Sequence, residues 1–202
     1  MPTRTAPQKL QALLSEIRAC RACEKHLPLG PRPVLIASPH SRIRMISQAP
    51  GTKVHASGIP FDDKSGDRLR EWLQLDKKTF YDSSKISITP MGFCYPGRGK
   101  SGDLPPRKEC AELWHQPLTE QLKSVKLTIL VGNYAQKYYL GGRMKENMTE
   151  TVRAWKDYLP EFFPIVHPSP RNQIWLAKNP WFERDVVPEL KKLVSTLFDK
   201  FE

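Results

Sequence analysis

Ile43-Arg44-Met45-Ile46-Ser47-Gln48-Ala49-Pro50-Gly51 is the stretch on which the fold turns, a short apolar run leading straight into a polar Pro/Gly loop. The run has the length of a strand, and three others match it: Ile86 to Thr89, Leu127 to Val131 and Phe163 to Val166. Helix-like stretches lie between them at Ser65 to Leu75, Lys108 to Leu122, Tyr134 to Leu140 and Thr149 to Tyr158. Strand and helix alternate, which predicts an α/β fold: a parallel sheet covered by helices on both faces, with right-handed crossovers. Ligands of such sheets bind beyond the carboxyl ends of the strands. Four loops follow those ends: Gln48 to Gly51, Cys94 with a Pro/Gly/Arg-rich segment, Gly132-Asn133-Tyr134, and His167-Pro168-Ser169-Pro170-Arg171-Asn172. They are expected to converge on one rim.

Outside this alternation, Leu10, Leu13, Leu14 and Ile17 recur at helical spacing, so residues 8 to 19 read as an amphipathic helix ending near Cys20. At the other end, Asn179-Pro180 is a good helix start, and Pro188 is expected to break or kink that helix before Leu190 to Phe198.

The 202 residues suit one domain, 1–202, with a real core. At 39% hydrophobic and 26% charged the composition is that of a globular protein, and 19 prolines against 11 glycines promise stiff loops. No apolar run approaches the roughly 18 residues a membrane span needs. The start, Met1 to Gln8, lacks the apolar stretch of a signal peptide, so a cytoplasmic protein without membrane contact is expected. A net charge of +11 makes nucleic acid the leading partner class. Much of the excess falls early, where Arg4, Lys9, Arg18, Arg21, Lys25, Arg32, Arg42 and Arg44 face only Glu16 and Glu24, suggesting a basic face. A plain solvated surface is the alternative.

All four cysteines fall into two pairs, Cys20 with Cys23 and Cys94 with Cys110, the second separated by fifteen residues. Disulfides do not suit a cytosolic chain, whereas a CxxC at a helix end presents two thiolates to one metal. Four thiolates suit a tetrahedral zinc or a 4Fe-4S cluster, and spacing alone does not choose. Such a group would tie the N-terminal helix to the loop after the second strand.

In order, Cys20-x-x-Cys23, Gln48-Ala49-Pro50-Gly51, Gly58-Ile59-Pro60-Phe61 with Ser65-Gly66-Asp67, Cys94 to Cys110, Val131-Gly132-Asn133 and His167-Pro168-Ser169-Pro170 together resemble the uracil-DNA glycosylase superfamily. The likeness is greatest to the iron-sulfur (family 4) enzymes, with some family 5 features. The resemblance implies a three-layer sandwich around a four-stranded parallel sheet, and a 4Fe-4S cluster at Cys20, Cys23, Cys94 and Cys110, with zinc as runner-up. It further implies action on uracil-containing DNA by hydrolysis of the N-glycosidic bond, opening base excision repair, by a protein expected to be a monomer. Extruding the base requires a flat apolar wall, which the resemblance assigns to Phe61, with Gly51, His55 and Asn133 as further substrate contacts. His167 matches the family histidine that donates to the departing base, where a preorganised donor gains most. Ser169, Pro170 and Arg171 match a loop that contacts phosphates and wedges into the vacated stack. Arg98, with Lys100, Arg107 and Lys108, could add a second phosphate-binding surface.

This chain departs from the pattern at the first motif, which carries Gln48 and Ala49 where related enzymes place carboxylates, leaving the water to Gln48, main chain or His55. Pro90 stands where family 4 has its uracil-reading Asn, and proline offers neither an amide proton nor a polar side chain. Uracil is therefore expected as the main substrate with its discrimination against other deaminated bases open, and Asn133 after the third strand is the residue that could compensate. These departures also sustain a second reading, a catalytically weak DNA-binding or damage-sensing protein that kept the fold and cluster.

Overall fold

The structure is a computed structural model that describes residues 5–100 and 102–199, so Arg4 of the basic N-terminal stretch lies outside the described residues. In chain order the elements are α1 (Ala6–Ala19), β1 (Ile43–Ile46), α2 (Thr52–Ser57), α3 (Lys64–Leu73), α4 (Lys77–Phe80), β2 (Ile86–Ile88), β3 (Arg98–Gly99) and β4 (Gly102–Asp103). They continue with α5 (Lys108–Gln121), β5 (Leu127–Val131), α6 (Asn133–Leu140), α7 (Met148–Arg153), β6 (Phe162–Ile165), α8 (Gln173–Lys178) and α9 (Val187–Asp199). The four expected strands form one sheet in the order β2-β1-β5-β6, parallel throughout. After β1 the chain turns to β2 on one side, then crosses back to β5 on the other, so the order reverses between β1 and β5.

Every residue of these four strands is buried, as expected where helices cover both faces. Successive side chains point to opposite faces. Ile43, Met45, Ile129, Val131, Phe163 and Ile165 enter the larger core with Leu69 and Trp72 of α3 and Leu190 and Val194 of α9. Phe163 is fully buried and stacks on Trp155 at 4.6 Å, and burial of such a ring contributes about 1.5–3 kcal/mol. Ile46, Leu130 and Phe162 face the other way, toward Ala111 of α5 and Ala135 and Leu140 of α6. Outside α5 lies α1, whose Leu10, Leu14 and Ile17 pack with Phe93, Leu118 and Leu122. Helix α1 starts at Ala6, earlier than its apolar pattern, because the Thr5 amide donates to Gln8 Oε1 at 2.9 Å and closes a capping box.

Three expectations change. The break anticipated at Pro188 is a wide π-helical turn, Phe182–Val186, that runs directly into α9, because a turn of that form absorbs the missing proline donor. The loop after Cys94 contains a small antiparallel hairpin, β3 with β4, pairing Arg98 with Asp103 and Gly99 with Gly102. And Arg44, counted toward a basic face, is 2% exposed beneath the sheet, while Arg18, Arg21, Lys25 and Arg32 are exposed. Arg44 Nε donates to Thr89 Oγ1 and Nη1 to Thr119 Oγ1, both at 2.7 Å, and its guanidinium lies over the Tyr139 ring.

His115 completes this buried polar layer. Its Nε2 lies 3.1 Å from the Pro90 carbonyl and must donate to it, so Nδ1 accepts from the Tyr139 hydroxyl at 2.7 Å. Burial, and then the Arg44 charge, push the imidazole down to about 3. In the unfolded chain it titrates near 6.5. The folded state thus binds fewer protons, and this contribution is complete above pH 6.5 and lost as pH falls from about 6.5 toward 3. Denaturant unfolding at pH 7, 6 and 5 is expected to show stability falling by up to about 1.4 kcal/mol per pH unit from this ring, and His115→Gln to flatten that slope.

Candidate active-site cleft and thiol pocket

A cleft of about 510 Å³ opens where the strand order reverses, beyond the carboxyl ends of β1 and β5. The loop after β1 supplies Ser47 to Gly51, the start of α6 supplies Tyr134, and the loop after β6 supplies His167 and Ser169 to Asn172. Pro60, Phe61, Asp63 and Ser65 come from the turn into α3, Pro90 from the end of β2, and Gly102 and Asp103 from the hairpin.

Phe61 is both wall and core. It lines the cleft, yet is only 7% exposed and packs edge-on against Phe80 at 6.2 Å. Its backbone lies in the left-handed region at φ 58, which is costly for an aromatic residue and must be held from outside. Two contacts hold it. The Tyr81 hydroxyl donates to the Pro60 carbonyl at 3.0 Å. On the other side the Phe61 carbonyl lies so close to Gly66 that a Cβ there would sit 1.7 Å from it. Asp63, between them, caps α3 by accepting the Gly66 amide at 2.9 Å.

His167 faces the same cleft with its ring centroid 6.5 Å from that of Phe61 and the two planes 34° apart. Its own loop clamps it. Nδ1 accepts the Ser169 amide at 3.2 Å, Asn172 Nδ2 donates to the His167 carbonyl at 2.7 Å, and Ser169 Oγ accepts the Arg171 amide at 3.3 Å. Gly132, at φ +84, lies against the histidine, and a Cβ there would be 3.2 Å from His167 Cβ. Burial pushes the imidazole down to about 4, so the ring is neutral near pH 7. With Nδ1 an acceptor, the proton sits on Nε2.

The other residues singled out in the sequence divide. Gln48, Ala49, Gly51, Ser169, Pro170 and Arg171 line the cleft. Gln48 Nε2 donates to the Leu104 carbonyl at 3.3 Å, tying the first motif to the hairpin. Arg171 lies on Gly102, whose missing Cβ would stand 2.0 Å from Arg171 Nη1, and Arg98 is exposed on the same hairpin. Asn133 and His55 are not among the lining residues. Asn133 opens α6, and the next residue, Tyr134, is the one that reaches the cleft. His55 sits near Tyr95 with a buried Nδ1 that has no partner, and burial lowers its affinity for a proton. Tyr134, Asp63 and Asp103 are cleft residues that the motifs do not single out. Tyr134 follows Gly132-Asn133, Asp63 lies between Phe61 and Ser65, and Asp103 lies between Cys94 and Cys110.

All four cysteines line a second, small pocket between the end of α1, the segment Gly92 to Cys94 and the start of α5. Cys110 Sγ accepts the Phe93 amide at 3.3 Å. Burial pushes the Cys94 thiol up to about 11 and the Cys110 thiol up to about 12, each raised further by the neighbouring thiols. Such a set is poor as free thiolates and becomes favourable only when a cation compensates the charge, so its chemistry fits a metal group. Among the described residues no three His, Cys, Asp or Glu are grouped to hold a single metal ion.

Fold and cleft together define an α/β protein with its site at a topological switch point. The family model of the Uracil DNA glycosylase superfamily matches residues 35–191, most of the chain, and the protein belongs to that superfamily. Cys94 and Cys110 fall inside the match, and Cys20 and Cys23 precede it.

The tight seat of Phe61 is directly testable. Because the obstacle is backbone, Gly66→Ala is expected to cost about 1–3 kcal/mol through forced displacement of the Phe61 turn, read as a lower urea midpoint at unchanged slope. An unchanged midpoint would mean that the turn moves freely.

Proposed function

We propose that this protein is a monofunctional DNA glycosylase that removes uracil from DNA by hydrolysing its N-glycosidic bond, leaving an abasic site for base excision repair. The observation that carries the reading is His167, neutral, clamped by its loop and protonated on Nε2, facing the cleft beside Phe61. A flipped uracil stacks on Phe61, and as the bond breaks the electron pair departs with the base. The Nε2 proton then hydrogen-bonds the oxygen on which negative charge collects. A neutral donor fixed in advance needs no reorganisation at that moment, and such donors are worth about 10²–10³ in rate. Pro90, lining the cleft without a polar side chain, leaves the base edge less strictly read, which extends acceptance to other deaminated bases. Arg171 and Arg98, both exposed beside the cleft, hold phosphates, with Ser169 and Pro170 shaping the wedge loop.

The test is alkaline cleavage of a labelled oligonucleotide carrying one uracil. Strand breaks are expected with wild type and a fall of about tenfold or more with His167→Ala. Binding without base release from any substrate would favour the damage-sensing reading, for which Gln48, Ala49 and Pro90 are the grounds.

In the same proposal Cys20, Cys23, Cys94 and Cys110 hold a 4Fe-4S cluster, which when bound supplies a covalent tie between α1 and the segment leading into α5. Protein purified without oxygen is expected to be brown, with broad absorption near about 400 nm and with iron and sulfide in equal amounts. Colourless protein with one zinc would replace the cluster by the runner-up.

A further inference from the structure

The first motif brings no carboxylate to the cleft, yet hydrolysis needs a group to orient water and take its proton. Two carboxylates do line the cleft, Asp63 and Asp103. Asp63 is committed to capping α3 and lies on the Phe61 side. Asp103 comes from β4, where its Oδ2 is 3.5 Å from the position a Cβ on Gly51 would take. No hydrogen bond or ion pair engages its side chain among the described residues.

Asp103 is exposed, but its neighbours fix it. Gly102, at φ +146, holds a backbone conformation that side chains rarely adopt, and it lies against the Arg171 guanidinium. Leu104 accepts from Gln48 Nε2 at 3.3 Å, and its amide donates to the Gly97 carbonyl at 2.8 Å. The residues on either side of Asp103 are thereby attached to the loop after β6 and to the loop after β1, the two walls of the cleft.

We infer that Asp103 supplies the carboxylate that the first motif lacks, holding the attacking water on the hairpin side of the cleft; the inference rests on the glycosylase reading above. The bond from the sugar C1′ to the base nitrogen breaks, and its electron pair leaves on the base, where His167 stabilises it. The water oxygen bonds C1′ and passes a proton to the Asp103 carboxylate, which returns it to solvent. The departing base anion takes its own proton from solvent. Gly51, lacking a side chain, leaves the space beside Asp103 open to that water.

The test is single-turnover base release with enzyme in excess over uracil-containing DNA, beside a separate binding titration. Asp103→Asn is expected to slow release about 100-fold while DNA binding stays equal or tightens, since a negative charge has left a surface that meets phosphates. Asp103→Glu is expected to recover part of the rate, and normal binding certifies that the variants are folded. Release by Asp103→Asn within about twofold of wild type overturns the inference alone, as does a loss of rate that saturating enzyme restores. Wild type that releases no base overturns the glycosylase reading and this inference with it.

Discussion

Parallel pairing of β1 with β5, Ile43 beside Leu127 through Ile46 beside Leu130, ends both strands at one level and opens the sheet there. Everything chemical in the molecule is placed by that constraint. After β1 the chain leaves toward β2 on one side, and after β5 toward β6 on the other. The turns Ser47 to Gly51 and Gly132 to Tyr134 are therefore pushed apart, and the cleft is the gap between them. The loop after β6 reaches the gap across Gly132, which is at positive φ and whose missing Cβ would stand 3.2 Å from His167 Cβ.

The cleft walls are fixed by backbone contacts more than by side chains. Phe61 stays in an unfavourable conformation because its carbonyl is backed by Gly66 and its turn is pinned by Tyr81, and β4 is tied through the Leu104 backbone to Gly97 and Gln48. At Gly66 a methyl group would collide with the Phe61 carbonyl, so the position of that turn is set by exclusion together with the Tyr81 hydrogen bond.

Bracing of this kind also decides which parts are legible in the sequence. The four sheet strands read clearly because both faces are buried, so each is an almost unbroken apolar run between polar turns. Strands β3 and β4, with two residues each, carry no periodic signal, and Gly102 and Leu104 beside them are held by contacts to Arg171 and Gln48 that are distant in sequence. His167 is legible through the motif His167-Pro168-Ser169-Pro170 that follows a strand, and the hydrogen bonds that clamp it lie within five residues of it. Asn133 draws attention away from Tyr134 because the helix begins at Asn133, and adjacent side chains on a helix point about 100° apart. Arg44 misleads because charge in a sequence carries no address: Thr89, Thr119 and the Tyr139 ring that accommodate it come from three other parts of the chain.

Segment 94–110 joins the two halves of the site. Its ends are cysteines of the thiol pocket, and its middle is the hairpin that lines the cleft. Any group that joins the four thiols also fixes where this segment starts and stops, and so limits how far β4 can move from Gly51. Within the segment the hairpin is tied through Leu104 to Gln48 and to Gly97. The thiol pocket and the cleft are thus neighbours along one segment of chain, with the hairpin between Cys94 and Cys110 carrying Gly102 and Asp103 into the cleft.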